Sequence, residues 1–291
     1  MPWRDRSGRF SPFKATVFLA LFLPALWIAY GYLSGTIGAL RLMESLRDIG
    51  NWGLRLLLIS LAVTPLRKSL QWPQLIQVRR MIGVAAFAYI ATHFLLYVID
   101  QSFDIGKVAS EILLRIYLTI GFVALLGLSA LAATSTDAML RRLGGRRWQR
   151  LHRIVYGIAL LGIIHFFMQT KADVTEPTVM AGLFGWLMGY RLLVWLRSDG
   201  ARPSPLAVAG LSIAAAVATG AGEALYFWLK TGVDPLRVLA LDFSLQLGLR
   251  PVWWVLLIGL AVALAAVIRS IGAAGRRDAR RRKLGVEAPS A

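Results

Sequence analysis

Long apolar runs separated by short charged segments fill almost the whole chain. Eight such runs occur, at 15–33, 52–66, 81–99, 116–134, 154–169, 179–196, 206–229 and 252–268. A helix needs about 20 apolar residues to cross a hydrocarbon core about 30 Å thick, and most of these runs approach that length. The runs at 52–66 and 154–169 are shorter. In lipid, however, a backbone must satisfy its own N–H and C=O groups, and none of the runs shows the two-residue alternation of a barrel strand. The pattern predicts an all-α integral membrane protein, a polytopic bundle of about eight transmembrane helices. The first run lacks a small-residue cleavage site and is followed by Arg41 and Glu44, which reads as a span rather than a removable leader.

Charge divides the loops into two sets. One side collects Arg4, Arg6, Arg9, Lys14, Arg67, Lys68, Arg79, Arg80, the basic cluster at 141–153, Arg197, Arg202 and the tail at 269–283. The other holds Glu44, Asp48, Asp100, Asp104, Glu111, Asp173, Glu176, Asp234 and Asp242. The positive-inside rule makes the first side cytoplasmic, with both termini inside and an even number of spans. The expected organisation is a cytoplasmic segment at 1–14, a six-span domain at 15–197, an appended two-span hairpin at 206–268 and a basic cytoplasmic tail at 269–291.

Composition narrows the chemistry. With 57% hydrophobic residues and a mean hydropathy of +0.61, a soluble fold would leave most side chains without a core. The net charge of +18 is accounted for by the inner loops, which anchor topology and meet anionic lipid headgroups, so no nucleic-acid partner is implied. The chain has no cysteine, which excludes disulfides, thiol catalysis and iron–sulfur clusters.

Three histidines remain, and two lie inside spans: His93 in the third and His165 in the fifth. Ionisable side chains at such depth are expensive and usually face a bundle interior with a functional partner; the plainer reading is a neutral imidazole bonded to a neighbouring helix carbonyl. His93 stands thirteen residues beyond Arg80, and His165 thirteen beyond His152. At 1.5 Å per residue both are about 20 Å from the inner boundary, level with each other on helices that run the same way. Two level imidazoles without carboxylate or thiol suit the two axial positions of a haem iron better than zinc, which takes four ligands. A cofactor-free transporter with proton-relay histidines is the competing reading, although its usual paired broken spans or inverted repeat are not visible. His152, at the inner edge, reads either as an interfacial residue or as a second ligand. Arg79 lies fourteen residues before His93, on nearly the same helical face, and reads either as a topology anchor or as a partner for a haem propionate or flavin phosphate. Arg55 reads either as a snorkelling residue near a span end or as a partner level with an outer-haem propionate, and Glu223 is expected near the outer interface, with a proton or quinol role as the alternative.

Three strings carry a resemblance. They are Leu61-Ala62-Val63-Thr64-Pro65-Leu66-Arg67, Arg79-Arg80-Met81-Ile82-Gly83 leading to His93, and Arg147-Trp148-Gln149-Arg150-Leu151-His152-Arg153 leading to His165. Together they resemble the haem-binding membrane subunit of the protein-methionine-sulfoxide reductase system, over about 35–197. That family is similar in turn to the membrane domains of ferric reductases and NADPH oxidases, where two helices carry two histidines each and hold two stacked haems. Here Arg79 or Arg80 stands at one of those four positions.

The resemblance implies one or two haems b, with FMN as an accessory cofactor. It implies electrons drawn from the quinol pool or a cytoplasmic flavin reductase. They would be delivered to a periplasmic molybdopterin-containing catalytic subunit that reduces methionine sulfoxide in oxidised periplasmic proteins. A b-type cytochrome serving a different reductase would keep the cofactor and change the partner. The chain itself carries no glycine-rich dinucleotide fingerprint, so donor and acceptor domains are expected on other proteins.

Overall fold

The computed structural model describes residues 3–4, 8–170, 173–197, 202–245 and 248–283, with side chains placed through 272. The described residues are helical apart from turns and one isolated bridge between Arg4 and Phe10. Among them, eight helical stretches are long and apolar enough to cross a membrane: Pro12–Ser34, Arg41–Ser69, Arg79–Asp100, Ile116–Ala133, Gly145–Gln169, Thr175–Leu196, Pro205–Thr231 and Pro251–Gly272. Each expected run lies inside one of these to within a residue.

The first stretch is two helices, α1 (Pro12–Ala20) and α2 (Leu23–Ser34), followed by α3 (Arg41–Ser69) and α4 (Arg79–Asp100). Pro24 brings no N–H to the ladder, and the next rung is opened by a side chain from α4. The Tyr89 hydroxyl accepts from the Ala25 N–H at 3.0 Å and donates to the Leu21 carbonyl at 2.7 Å. Those two backbone groups are four residues apart and would otherwise bond each other. A hydroxyl inserted into the ladder bends a helix without leaving polar backbone bare in lipid.

Helix α3 starts eleven residues before the apolar run it contains, because Arg41, Glu44 and Arg47 continue the helix beyond the apolar segment. The sequence pattern also missed α5 (Ile105–Leu114). It is capped by Asp104, whose side chain accepts from the Lys107 N–H at 2.8 Å. Its Val108 and Ile112 pack with Val98 of α4, alongside Phe94, Tyr97, Leu118 and Phe122. It is too short to span, so it caps one end of α4 and of α6 (Ile116–Ala133).

The chain continues through α7 (Asp137–Leu143), α8 (Gly145–His152), α9 (Val155–Gln169), α10 (Thr175–Leu196), α11 (Pro205–Thr231), α12 (Pro235–Asp242) and α13 (Pro251–Lys283). Two compact units result. The first comprises Met1–Val63 and Ile76–Phe184, and within it α6 packs along both α4 and α9.

The second unit comprises Thr64–Leu75 and Gly185–Ala291, with α11 held against α13 and α12. The crossing of α11 and α13 is close at Gly259, where a Cβ would stand 2.3 Å from the Ser212 Oγ. Trp186 Nε1 donates to that Oγ at 3.0 Å, and the hydroxyl donates to the Val208 carbonyl at 2.7 Å.

Glu223, on α11, is enclosed by the protein itself. It is 1% exposed, and its carboxylate receives the Arg250 guanidinium, which also reaches the fully buried Asp242 at 3.2 Å. Distance from the end of a run sets the expected depth of Glu223, but it does not show that a loop arginine folds back onto α11. The linker expected at 198–205 has residues 198–201 outside those described, and Ser204 caps α11 through the Ala207 N–H at 3.2 Å. The expected basic tail is helical as far as Lys283, as a continuation of α13; its side chains from 273 onward lie outside those described.

Candidate functional site

Four helices of the first unit build the site. His93 projects from the middle of α4 and His165 from α9, and their ring centroids lie 6.4 Å apart with the planes inclined at 81°. The two residues that equal spacing from the inner boundary singled out thus lie side by side. Each imidazole also reaches a third or fourth helix. His93 Nδ1 lies 2.8 Å from the Leu46 carbonyl of α3, and His165 Nδ1 lies 2.8 Å from the Tyr117 carbonyl of α6. A carbonyl only accepts, so Nδ1 carries the proton in both rings, and Nε2 keeps its lone pair as the basic, metal-binding nitrogen. The same partnership fixes tautomer and ring orientation wherever histidine serves as a metal ligand.

The other candidates lie apart from this pair. His152 ends α8, stacked on Trp148 with centroids 3.7 Å apart, and its Nε2 is 3.2 Å from the Thr134 hydroxyl. Trp148 Nε1 donates to the Thr134 carbonyl at 2.8 Å, so α8 is fastened to the end of α6. Arg79, the first residue of α4, lies within electrostatic reach of His152. Arg80 pairs with Asp137 at 2.5 Å. Arg55 is bound to Glu176, which also accepts from Asn51 at 2.9 Å, and its guanidinium lies over the Trp52 ring at 5.0 Å.

Among the described residues, no three of His, Cys, Asp and Glu gather into a group able to hold a metal ion by themselves. Sequence reasoning offered a neighbouring helix carbonyl only as the alternative to a functional partner, and did not identify Leu46 and Tyr117 as the acceptors. It missed also Gly50 and Gly121, one helical turn beyond them, which lie against the two rings. The repeated spacing Leu46 to Gly50 and Tyr117 to Gly121 is visible in the sequence, but glycines are common in spans and nothing there ties them to a histidine.

Residues 49–163 match the family described as ferric reductase like transmembrane component. With eight apolar helices among the described residues, the chain is a multi-pass membrane protein that carries a ferric reductase-like transmembrane component. A protein of Rhodospirillum rubrum is 44% identical over 204 residues, which are 69% of this chain and 96% of that protein. One from Caulobacter vibrioides is 42% identical over 180 residues, 62% of this chain and 85% of its own length. One from Azospira oryzae is 38% identical over 206 residues, 70% and 88% respectively. Each bears the name protein-methionine-sulfoxide reductase heme-binding subunit MsrQ, and the chain belongs to this MsrQ family. No solved structure matches it.

Proposed function

We propose that this protein is the haem b electron-transfer subunit of a membrane-bound methionine sulfoxide reductase system, with His93 and His165 as the axial ligands of one haem. The observation that carries the reading is the spacing of the pair. A metal–imidazole bond is about 2.0 Å, so two imidazoles on opposite sides of one metal have ring centroids about 6 Å apart. The observed 6.4 Å agrees, and both rings are oriented by Nδ1–H donation, which leaves Nε2 available. Two protein ligands with no third among the described residues suit a metal whose remaining positions are filled by a macrocycle. The chain has no cysteine for thioether attachment, which supports the b type.

A bound haem supplies one-electron redox chemistry; this chain's residues bind it, orient its ligands and keep it in a low-dielectric bundle. Arg79 and His152 form a second, inner locus for an anionic cofactor group, a propionate or the phosphate of FMN. Ligation of a second iron by His152 would require its Nε2 to leave Thr134. Electrons enter from the quinol pool or a cytoplasmic flavin reductase and leave to a periplasmic molybdopterin-containing catalytic subunit, which repairs oxidised periplasmic proteins. The relatives' names support the reductase system. The basic loops support cytoplasmic termini in the inner membrane, with 15–197 as the haem domain and 206–268 as an appended pair.

A reduced-minus-oxidised spectrum of the detergent-purified protein tests this. A low-spin b-type spectrum is expected, lost in His93→Ala and in His165→Ala and kept in His152→Ala. A well-folded preparation without haem would overturn the relay and return the histidines to a proton-relay role.

A further inference from the structure

The two histidines are held by the same local device, built twice on different helices. In an α-helix the carbonyl of residue i already accepts from the N–H of residue i+4, and its second lone pair points past that residue's Cβ position. An imidazole that donates to this carbonyl must therefore lie where the side chain of residue i+4 begins. At Leu46 the residue four ahead is Gly50, and at Tyr117 it is Gly121. A Cβ on Gly50 would stand 2.7 Å from His93 Nδ1, 3.0 Å from Cε1 and 3.2 Å from Cγ. A Cβ on Gly121 would stand 2.7 Å from His165 Nδ1, 2.8 Å from Cε1 and 3.2 Å from Cγ. In both cases the missing side chain would meet the ring itself, along the Nδ1 edge that makes the hydrogen bond.

We propose that Gly50 and Gly121 are positioning residues for the two imidazoles: each lets a backbone carbonyl of the neighbouring helix seize the Nδ1 proton and so fixes the ring planes nearly perpendicular to each other. The proposal rests on the reading of His93 and His165 as ligands of one haem, and it adds what sets their orientation. An imidazole on a metal is free to turn about the metal–nitrogen bond unless its other nitrogen is tied down. Here α3 ties one ring and α6 ties the other, and the 81° between the planes is the result. The relative orientation of two axial imidazole planes governs the splitting of the iron d orbitals, and with it the anisotropy of the oxidised low-spin signal and the reduction potential.

The same helix pairs contain a control. Gly53 of α3 is as crowded as Gly50, with a Cβ position 2.5 Å from Ile90 of α4, and Gly127 of α6 is 2.9 Å from Ile158 of α9. These glycines allow close helix packing without touching a histidine. A role in packing alone predicts equal effects at all four positions; a positioning role singles out two.

The experiment is frozen-solution electron paramagnetic resonance and a redox titration on purified, haem-loaded wild type, Gly50→Ala, Gly121→Ala, Gly53→Ala and Gly127→Ala, with circular dichroism as a check of helix content. Wild type is expected to show the strongly anisotropic low-spin signal of near-perpendicular imidazoles. Gly50→Ala and Gly121→Ala are expected to move both the signal and the midpoint potential, or to lose haem with the helices intact. Gly53→Ala and Gly127→Ala are expected to keep the wild-type signal and potential. Wild-type spectra from Gly50→Ala and Gly121→Ala would overturn the proposal, as would identical changes, including haem loss, in all four variants. Haem retained by His93→Ala or His165→Ala would overturn the ligand pair, and the positioning role with it, while leaving the four glycine results as plain packing effects.

Discussion

His93 and His165 face each other at 6.4 Å from different helices, and neither ring is anchored by the helix that carries the other. Each is instead tied to a third party, the backbone of α3 or of α6. The pair is thus a meeting point of four helices, and its chemistry depends on all of them keeping register.

If one iron is shared between these rings, removing either has the same consequence. His93→Gly and His165→Gly are each expected to lose the low-spin spectrum in full. Added imidazole should restore a low-spin band in both, because a free ring can occupy the space left by the side chain. A variant that keeps half of the wild-type band would show instead that the two histidines serve different irons.

Tyr89 offers a test of the broken first span. Tyr89→Phe leaves the Ala25 N–H and the Leu21 carbonyl without their shared partner, and each unsatisfied backbone group costs about 1–3 kcal/mol. We expect loss of stability on the order of 2 kcal/mol in detergent unfolding, offset in part if the two groups close onto each other. Stability equal to wild type would mean that the hydroxyl is dispensable and that α1 and α2 fuse into one helix.

The second unit contains two buried carboxylates on one guanidinium. Arg250→Ala would strand Glu223 and Asp242 together, and breaking a buried pair in this way costs about 3–5 kcal/mol. Burial pushes the Asp242 carboxyl above its ordinary 3.8, while Arg250 pulls it down; removing Arg250 lets it rise further. An acid whose folded pKa is raised binds more protons folded than unfolded, so its contribution to stability declines as pH climbs from the unfolded value through the folded one. The defect of Arg250→Ala, measured by thermal unfolding, is therefore expected to be largest at alkaline pH and to shrink on acidification. A defect independent of pH would assign the loss to packing of the arginine stem.

At the α11–α13 crossing, Gly259→Ala is expected to destabilise by about 1–3 kcal/mol, the usual range for overpacking. Ser212→Ala in the same chain should recover part of it by removing the Oγ that the new methyl meets. Full additivity of the two substitutions would show that the helices separate elsewhere.

The sequence by itself determined the eight spans, because in lipid the backbone must bond internally as helix or closed barrel, and apolar length without two-residue alternation leaves only the helix. It also determined the two histidines inside apolar runs as the candidate pair, since ionisable groups stand out there and equal spacing from the inner boundary sets equal depth. What it did not determine depended on contacts between residues far apart in the chain. Tyr89 breaks a helix that the apolar run at 15–33 reads as continuous, and α5 exists because Val108 and Ile112 find Val98. Glu223 is buried because Arg250 returns to meet it, not because of its place in a run. Leu46 and Tyr117 act through backbone carbonyls, which carry no residue identity, and Gly50 and Gly121 act through a side chain they lack. Such roles are invisible in a one-dimensional pattern, because only tertiary packing decides which surface of a helix another helix's imidazole will meet.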